Sequence, residues 1–155
     1  MKKLVICLFF ASSVFGMSVR NGDLIGSGGA GLTFGPTLLL LSPELEYVYR
    51  SDMNFGGLLQ MAIGGSVLFT VDGKVRYILA TNSPKMKPSF EGGLGLAIGS
   101  SSFSSSVGAH IFFGGGFDYF FDRDTSIGTM FRINFAPPLD GVFVSWPMII
   151  GRFRL

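Results

Sequence analysis

The feature that most constrains this chain is a two-residue alternation through VGAHIFFGGGFDYFF and, after a polar break at DRDT, through SIGTMFRINF. On the first arm Val107, Ala109, Ile111, Phe113, Phe117, Tyr119 and Phe121 share one parity, and Gly108, His110, Gly114, Gly116 and Asp118 the other. On the second, Ile127, Thr129, Phe131, Ile133 and Phe135 alternate with Ser126, Gly128, Met130, Arg132 and Asn134. A period of two belongs to β-strands, and two such runs joined by a short polar break form a hairpin. Each arm is long enough, at roughly 9–11 residues per tilted span, to cross a bilayer. Each keeps an apolar, aromatic face apart from a small or charged one, the arrangement of a strand with lipid outside and a polar lumen inside.

Composition narrows the class. Of 155 residues, 48% are apolar and only 14% charged, with 23 Gly and 17 Phe. Past the N-terminus no apolar run approaches the roughly 20 residues of a membrane helix. The remaining way to satisfy every backbone group in lipid is a closed barrel; a secreted β-sandwich is the competing reading. Residues 1–16, MKKLVICLFFASSVFG, have the three parts of a signal peptide: Lys2 and Lys3, an apolar core, and small residues before a cut. Val14 and Gly16 place cleavage before Met17, giving a barrel domain over 17–155. Cys7 falls in the removed segment, so the mature chain has no thiol chemistry. Removing Lys2 and Lys3 from twelve basic residues leaves ten, against ten acidic ones. Such a neutral chain gives no reason to propose nucleic acid as a partner.

The same rhythm recurs along the chain. Residues 24–34 and 39–50 read as the first two strands, the second carrying Glu44, Glu46 and Arg50 on its inner parity. A run over 54–70 reads as a long third strand that projects past the membrane, with Asp72-Gly73 as its hairpin turn. The fourth strand then covers 74–82, with Lys74 and Arg76 inward, and the Pro- and Lys-containing segment 83–88 is a connection outside the ladder. The fifth strand, 89–100, brings Glu91 inward; 100–106 is a serine-rich loop; the opening hairpin supplies strands six and seven. In the last segment, 142–155, the alternation breaks, and Pro147 implies a bulge or kink. The total is eight strands, the smallest usual bacterial barrel.

GGGFDYFFDRDTSIG, with its flanking HIFF and MFRINF, resembles the penultimate hairpin of the OmpA-like and OmpX-like small outer-membrane barrels. There, a glycine-rich strand ends in Asp-Tyr, turns through a polar tetrad and rises through Ser-(Ile/Leu)-Gly. The resemblance is specific over about thirty residues and implies an all-β, eight-stranded antiparallel up-and-down transmembrane β-barrel in the bacterial outer membrane. It further implies a monomer with both termini in the periplasm, surrounded by outer-membrane lipid and lipopolysaccharide and inserted by the barrel-assembly machinery. The chain departs from the family in ending Arg152-Phe153-Arg154-Leu155 instead of in an aromatic residue, and in lacking a downstream peptidoglycan-binding domain.

Inward parity collects Glu44, Glu46, Arg50, Lys74, Arg76, Glu91, His110, Asp118, Arg132, Asn134, Arg152 and Arg154. The lipid-facing set is Phe113, Phe117, Tyr119, Phe131 and Ile133. An enzyme reading would take Glu44, Glu46 and His110 as acid/base groups. An eight-strand lumen is just wide enough to be filled by side chains, and charges buried there must pair. The reading is therefore a lumenal network, with Glu44, Glu46, Arg76 and Arg132 in an upper tier and Arg50, Glu91, Asp118 and Arg152 in a lower one. Outer-membrane lipid A deacylases carry a His-x-Ser pair facing lipid, whereas His110-Ile111-Phe112 lacks the serine. No catalytic residue, cofactor or metal site is assigned. The functional expectation is a structural, envelope-integrity barrel; the alternative is a narrow channel for ions or small solutes, with adhesion or lipid modification behind both.

Overall fold

A computed structural model describes residues 20–100, 105–137 and 141–155; the expected signal segment, most of the serine loop and residues 138–140 lie outside them. The strands are β1 (Leu24–Phe34), β2 (Leu39–Arg50), β3 (Met53–Ile63), β4 (Val67–Ile78), β5 (Met86–Ser100), β6 (Ser105–Phe120), β7 (Thr125–Ala136) and β8 (Gly141–Arg154). Each pairs antiparallel with its sequence neighbour, and β1 closes on β8 from Ile25↔Arg154 to Phe34↔Val144. Closure leaves no sheet edge, which in lipid would strand a row of unpaired backbone donors and acceptors.

Every strand presents its apolar parity outward. Leu94 and Phe113 are 71% and 69% exposed, and Phe117, Tyr119, Phe131 and Ile133 share their outer wall. The barrel end where the described chain begins and finishes, here the terminal end, carries a ring of tyrosines: Tyr47, Tyr49, Tyr77 and Tyr119. Tyrosine has an apolar body and a polar tip, and girdles of this kind sit where hydrocarbon meets headgroup. The far end has no tyrosine. Inside it lies an apolar layer of Leu38, Leu40, Ala62, Ala97, Ala136 and Phe143, with Leu68 packed against both of its clusters.

The turns follow local chemistry. Between β6 and β7, Asp122 Oδ1 accepts the backbone N–H of Asp124 at 2.8 Å and of Thr125 at 2.7 Å, closing the DRDT turn. The Thr125 side chain and these amides stabilise the ionised carboxyl and hold Asp122 below the usual carboxylate range. Between β1 and β2, Gly35 adopts a φ of 99°, and Thr33 Oγ1 donates to the Pro36 carbonyl at 2.7 Å while accepting the Leu38 N–H at 3.1 Å.

The third hairpin corrects the sequence reading. Its turn is Gly64-Gly65-Ser66, with Gly64 N–H donating to Ser66 O at 3.0 Å, and Asp72-Gly73 lies within β4, where Gly57 pairs with Gly73 and Leu58 with Asp72. A three-residue turn between Ile63 and Val67 leaves odd residues outward on both sides, so the alternation runs through the turn without a break. The third strand is accordingly no longer than its neighbours. Met86–Pro88 also join the ladder, opposite Phe117 to Tyr119, and β5 begins three residues earlier than its sequence suggests.

On β8 the expected irregularity is a bulge at Met148: Ala30 pairs with Ile149, while Gly31 pairs with Pro147. It flips the parity, so Phe143 and Ser145 point inward before it, and Ile150 and Arg152 after it. Trp146, before the bulge, is on the outer side, its indole N–H donating to Thr129 Oγ1 at 2.9 Å. Thr129 in turn donates to the Pro147 carbonyl at 3.2 Å, replacing ladder bonds where the β7–β8 register shifts.

Phe131 is the seventh residue of β7, outward and near mid-height. Phe131→Arg is expected to cost about 2–4 kcal/mol, the range for a cation at the lipid midplane of such a barrel. Urea unfolding in lipid micelles measures it, and an unchanged midpoint contradicts the wall assignment.

Candidate functional site

The lumen below the apolar layer interleaves charged and polar side chains with buried Leu58, Phe112, Met130 and Ile150. Lys74, projected inward from β4, places its ammonium among three carboxylates: it bonds Glu44, and lies 2.7 Å from Glu46 Oε1 and 3.2 Å from Glu91 Oε2. Arg132, from the opposite wall, bonds Glu91 through Nε and Glu44 through Nη2. Arg76 reaches Asp118 through Nη2, Glu46 Oε2 at 3.4 Å through Nη1, and Ser89 Oγ at 3.1 Å through Nε. Asn54 donates to Glu46 Oε2 at 2.7 Å, and Arg152 Nε stands 3.2 Å from Asp118 Oδ1 as an ion pair. All of these side chains are buried. Taking such charges from water costs several kcal/mol per ion, and only this density of partners offsets it.

The network is one body, not two tiers. Arg132–Glu91 and Arg76–Asp118 both join residues the sequence reading had separated. The strand limits explain this. Because β4 starts at Val67, Arg76 is tenth of its twelve residues and sits toward the terminal end; because β5 starts at Met86, Glu91 is carried deeper. There Arg76 pairs in register with Glu91, Glu91 with Gly114, and Gly114 with Arg132, placing all of them along one row.

Arg50 requires a second correction. It lies outside the lumen, at the terminal rim, with a side chain 54% exposed and Nε 3.2 Å from Asp52 Oδ1. A register shift between Val48 and Arg50 ends the alternation one residue before it. Arg154, inward by parity, is likewise at the rim, bonded to Asp23 and Asp124.

Above the network, the His110 ring stacks between Phe112 and Phe143, with centroid distances of 5.8 and 5.9 Å, and Arg132 lies over the other side of Phe112 at 5.9 Å. His110 Nδ1 is 2.7 Å from Asp72 Oδ1, and Nε2 is 3.2 Å from Asn134 Oδ1. The Asn134 amide is oriented by its own nitrogen, which donates to Arg132 O at 3.2 Å, Phe143 O at 3.3 Å and Ser145 Oγ at 2.9 Å. Both ring nitrogens therefore face side-chain oxygens, one of a carboxylate and one of an amide. Thr70 Oγ1 completes the site by donating to Asp72 Oδ2 at 2.7 Å. Among the described residues the buried lumen sets Lys74, Arg76, Arg132 and Arg152 against Glu44, Glu46, Glu91 and Asp118, with Asp72 facing His110.

Sequence reasoning missed two of these roles. Lys74 had inward parity but no place in the proposed tiers, although it is the centre of the network. Asp72 was assigned to a turn because Asp-Gly is a strong hairpin signal. Glu44, Glu46 and Glu91 bring carboxylate oxygens within 4.8 Å of one another, a spacing suited to a cation, and the Lys74 ammonium fills that role. The partners of the two His110 nitrogens are a carboxylate and an amide oxygen, and neither is a hydroxyl.

No protein-family model matches the chain, and no curated protein does. Solved structures do. The N-terminal β-barrel domain of Pseudomonas aeruginosa OprF superposes with a TM-score of 0.70 at 14% identity, covering 88% of this chain and 98% of that one. Neisserial surface protein A gives 0.67 at 14% identity, with 88% and 98% covered. The chain has the fold of the small outer-membrane barrels. The outer membrane enzyme PagL also superposes, with a TM-score of 0.53 at 17% identity over 84% of this chain and 99% of that one. At such identities the likeness describes architecture and leaves the role to this chain's own residues.

Proposed function

We propose that this chain is a structural barrel of a bacterial outer membrane, with a lumen closed to ions and without a catalytic centre. The observation carrying this reading is the continuous buried ion-pair network, capped by the apolar layer of Leu38, Leu40 and Phe143. An eight-strand barrel has room for side chains and little for a water column. Charge-assisted links such as Arg132 to Glu44 and Glu91 resist displacement by passing ions. His110, held between two rings inside the lumen, is remote from the lipid wall where a lipid-modifying enzyme would need it. An even number of strands puts both ends of the described chain on one rim, which in this reading lies in the periplasm. In this reading the chain is exported by its 1–16 segment, inserted by the barrel-assembly machinery, and works as a monomer amid outer-membrane lipid and lipopolysaccharide.

One feature favours a narrow channel as the second reading. The guanidinium of Arg152 is buried yet makes no hydrogen bond among the described residues, and it lines a small cavity at the terminal end with Asn54, Arg76 and Ser126. Planar-bilayer recording of refolded protein separates the two. The structural reading expects little or no steady conductance from wild type and opening events in Arg132→Ala. A large steady wild-type conductance, unchanged in the variant, makes the barrel a channel.

A further inference from the structure

The outer wall is not uniformly filled. Around Gly57, at mid-height on β3, Pro43, Leu45, Leu59 and Val71 border an apolar hollow of about 290 Å³ that opens to the lipid side. Two features of the sequence create it. Gly57 pairs with Gly73, so two adjacent strands lack side chains at the same level; a Cβ added to either glycine would meet only a carbonyl oxygen, at 3.9 Å. Pro43 has no N–H to donate, and the β2–β3 pairing skips from Leu41↔Met61 to Glu44↔Leu58 beside it.

The same face continues toward the terminal end in a definite chemical order. Below the hollow come Tyr47 paired with Phe55, then Tyr49, which meets Phe55 edge-on at 5.5 Å, and Tyr77 paired with Met53. At the rim stands the exposed Arg50–Asp52 pair, with Arg50 Nε and Nη2 engaged and Nη1 outside the pair. Arg50 pairs in register with Met53, four residues from Gly57, or roughly 13 Å along the strand at about 3.3 Å per residue. Hydrocarbon-sized space, a band of amphipathic rings, and a cation beside an anion follow one another down a single face.

We propose that this face is a binding site for one phospholipid with a zwitterionic, ammonium-bearing headgroup. An acyl chain occupies the hollow, the ester region lies against Tyr47, Tyr49 and Tyr77, the phosphate faces Arg50 and the ammonium faces Asp52. The order of chemistries favours a phospholipid over a second copy of the chain, since a barrel wall would place apolar surface against the charged pair. The site is independent of whether the lumen conducts.

The test is native mass spectrometry of the full mature chain refolded in detergent and titrated with phosphatidylethanolamine or phosphatidylglycerol. Gly57→Leu fills the hollow at an open position, and Gly151→Leu, also on the outer wall with nothing within 4 Å of an added Cβ, is the control. Unfolding by gel mobility verifies that both variants are barrels. Wild type and Gly151→Leu are expected to retain one phosphatidylethanolamine at about tenfold lower lipid concentration than Gly57→Leu, and Asp52→Asn to lose the preference over phosphatidylglycerol. Equal retention by wild type and Gly57→Leu overturns the site, and equal wild-type retention of both lipids overturns the headgroup assignment. A wild-type dimer that Gly57→Leu abolishes overturns it in favour of a second copy.

Discussion

An ammonium group shared by three carboxylates, all withdrawn from water, is the interaction around which this barrel is arranged. Lys74 alone would be a prohibitive burial, and so would Glu44, Glu46 and Glu91 so near one another. Together with Arg132, Arg76 and Asp118 they form a set in which each group is stabilised by several others. The residues come from β2, β4, β5, β6 and β7, so the network ties opposite walls together through the lumen. At mid-height these wall-to-wall ties run beside the inward apolar side chains of Leu58, Phe112 and Met130. The outer wall gains little from packing against lipid, which is as apolar as the wall itself.

Space is the companion constraint. Long inward side chains fit only where the facing strand offers none. A Cβ on Gly93 would lie 2.5 Å from the Phe112 ring, and one on Gly114 would lie 3.0 Å from Arg132 Cγ. These inward glycines, which on composition alone could mean a wet pore, are instead seats for an aromatic ring and a guanidinium stem. The stack of Arg132, Phe112, His110 and Phe143 then carries filled volume from the charged layer to the apolar layer at the far end. On the lipid side the same lack of a side chain at Gly57 and Gly73 leaves a hollow, because nothing from the protein faces it.

How much of this was legible in the sequence depends on where parity holds. In Phe113 to Phe135 it holds on both arms, and the wall and lumen sides follow directly from the residues. It gives no sign of the turn at 64–66, since three residues restore the outward phase, and that shifted the limits of β3 and β4 and with them the depth of Arg76. It fails at Arg50 and Met148, where register shifts add a residue to one strand. Strand parity assigns a side, whereas partner and depth depend on register across several strands. That is why Lys74 could be placed inward without its three carboxylates being foreseen, and why Asp72 had no visible reason to meet His110, 38 residues away.

The lumenal charges act as one coupled network, and a double-mutant cycle on Glu91 and Arg132 measures that coupling. Arg132→Met and Glu91→Gln, each unfolded by urea in lipid micelles, are predicted to cost about 3–5 kcal/mol, the range for removing one partner of a buried pair. The double variant is predicted to lose less than the two losses added, by about 0.5–3 kcal/mol, as for groups in one network. Strict additivity, or single losses within the roughly 0.5 kcal/mol of an ordinary surface substitution, would contradict the claim that these pairs hold the barrel together.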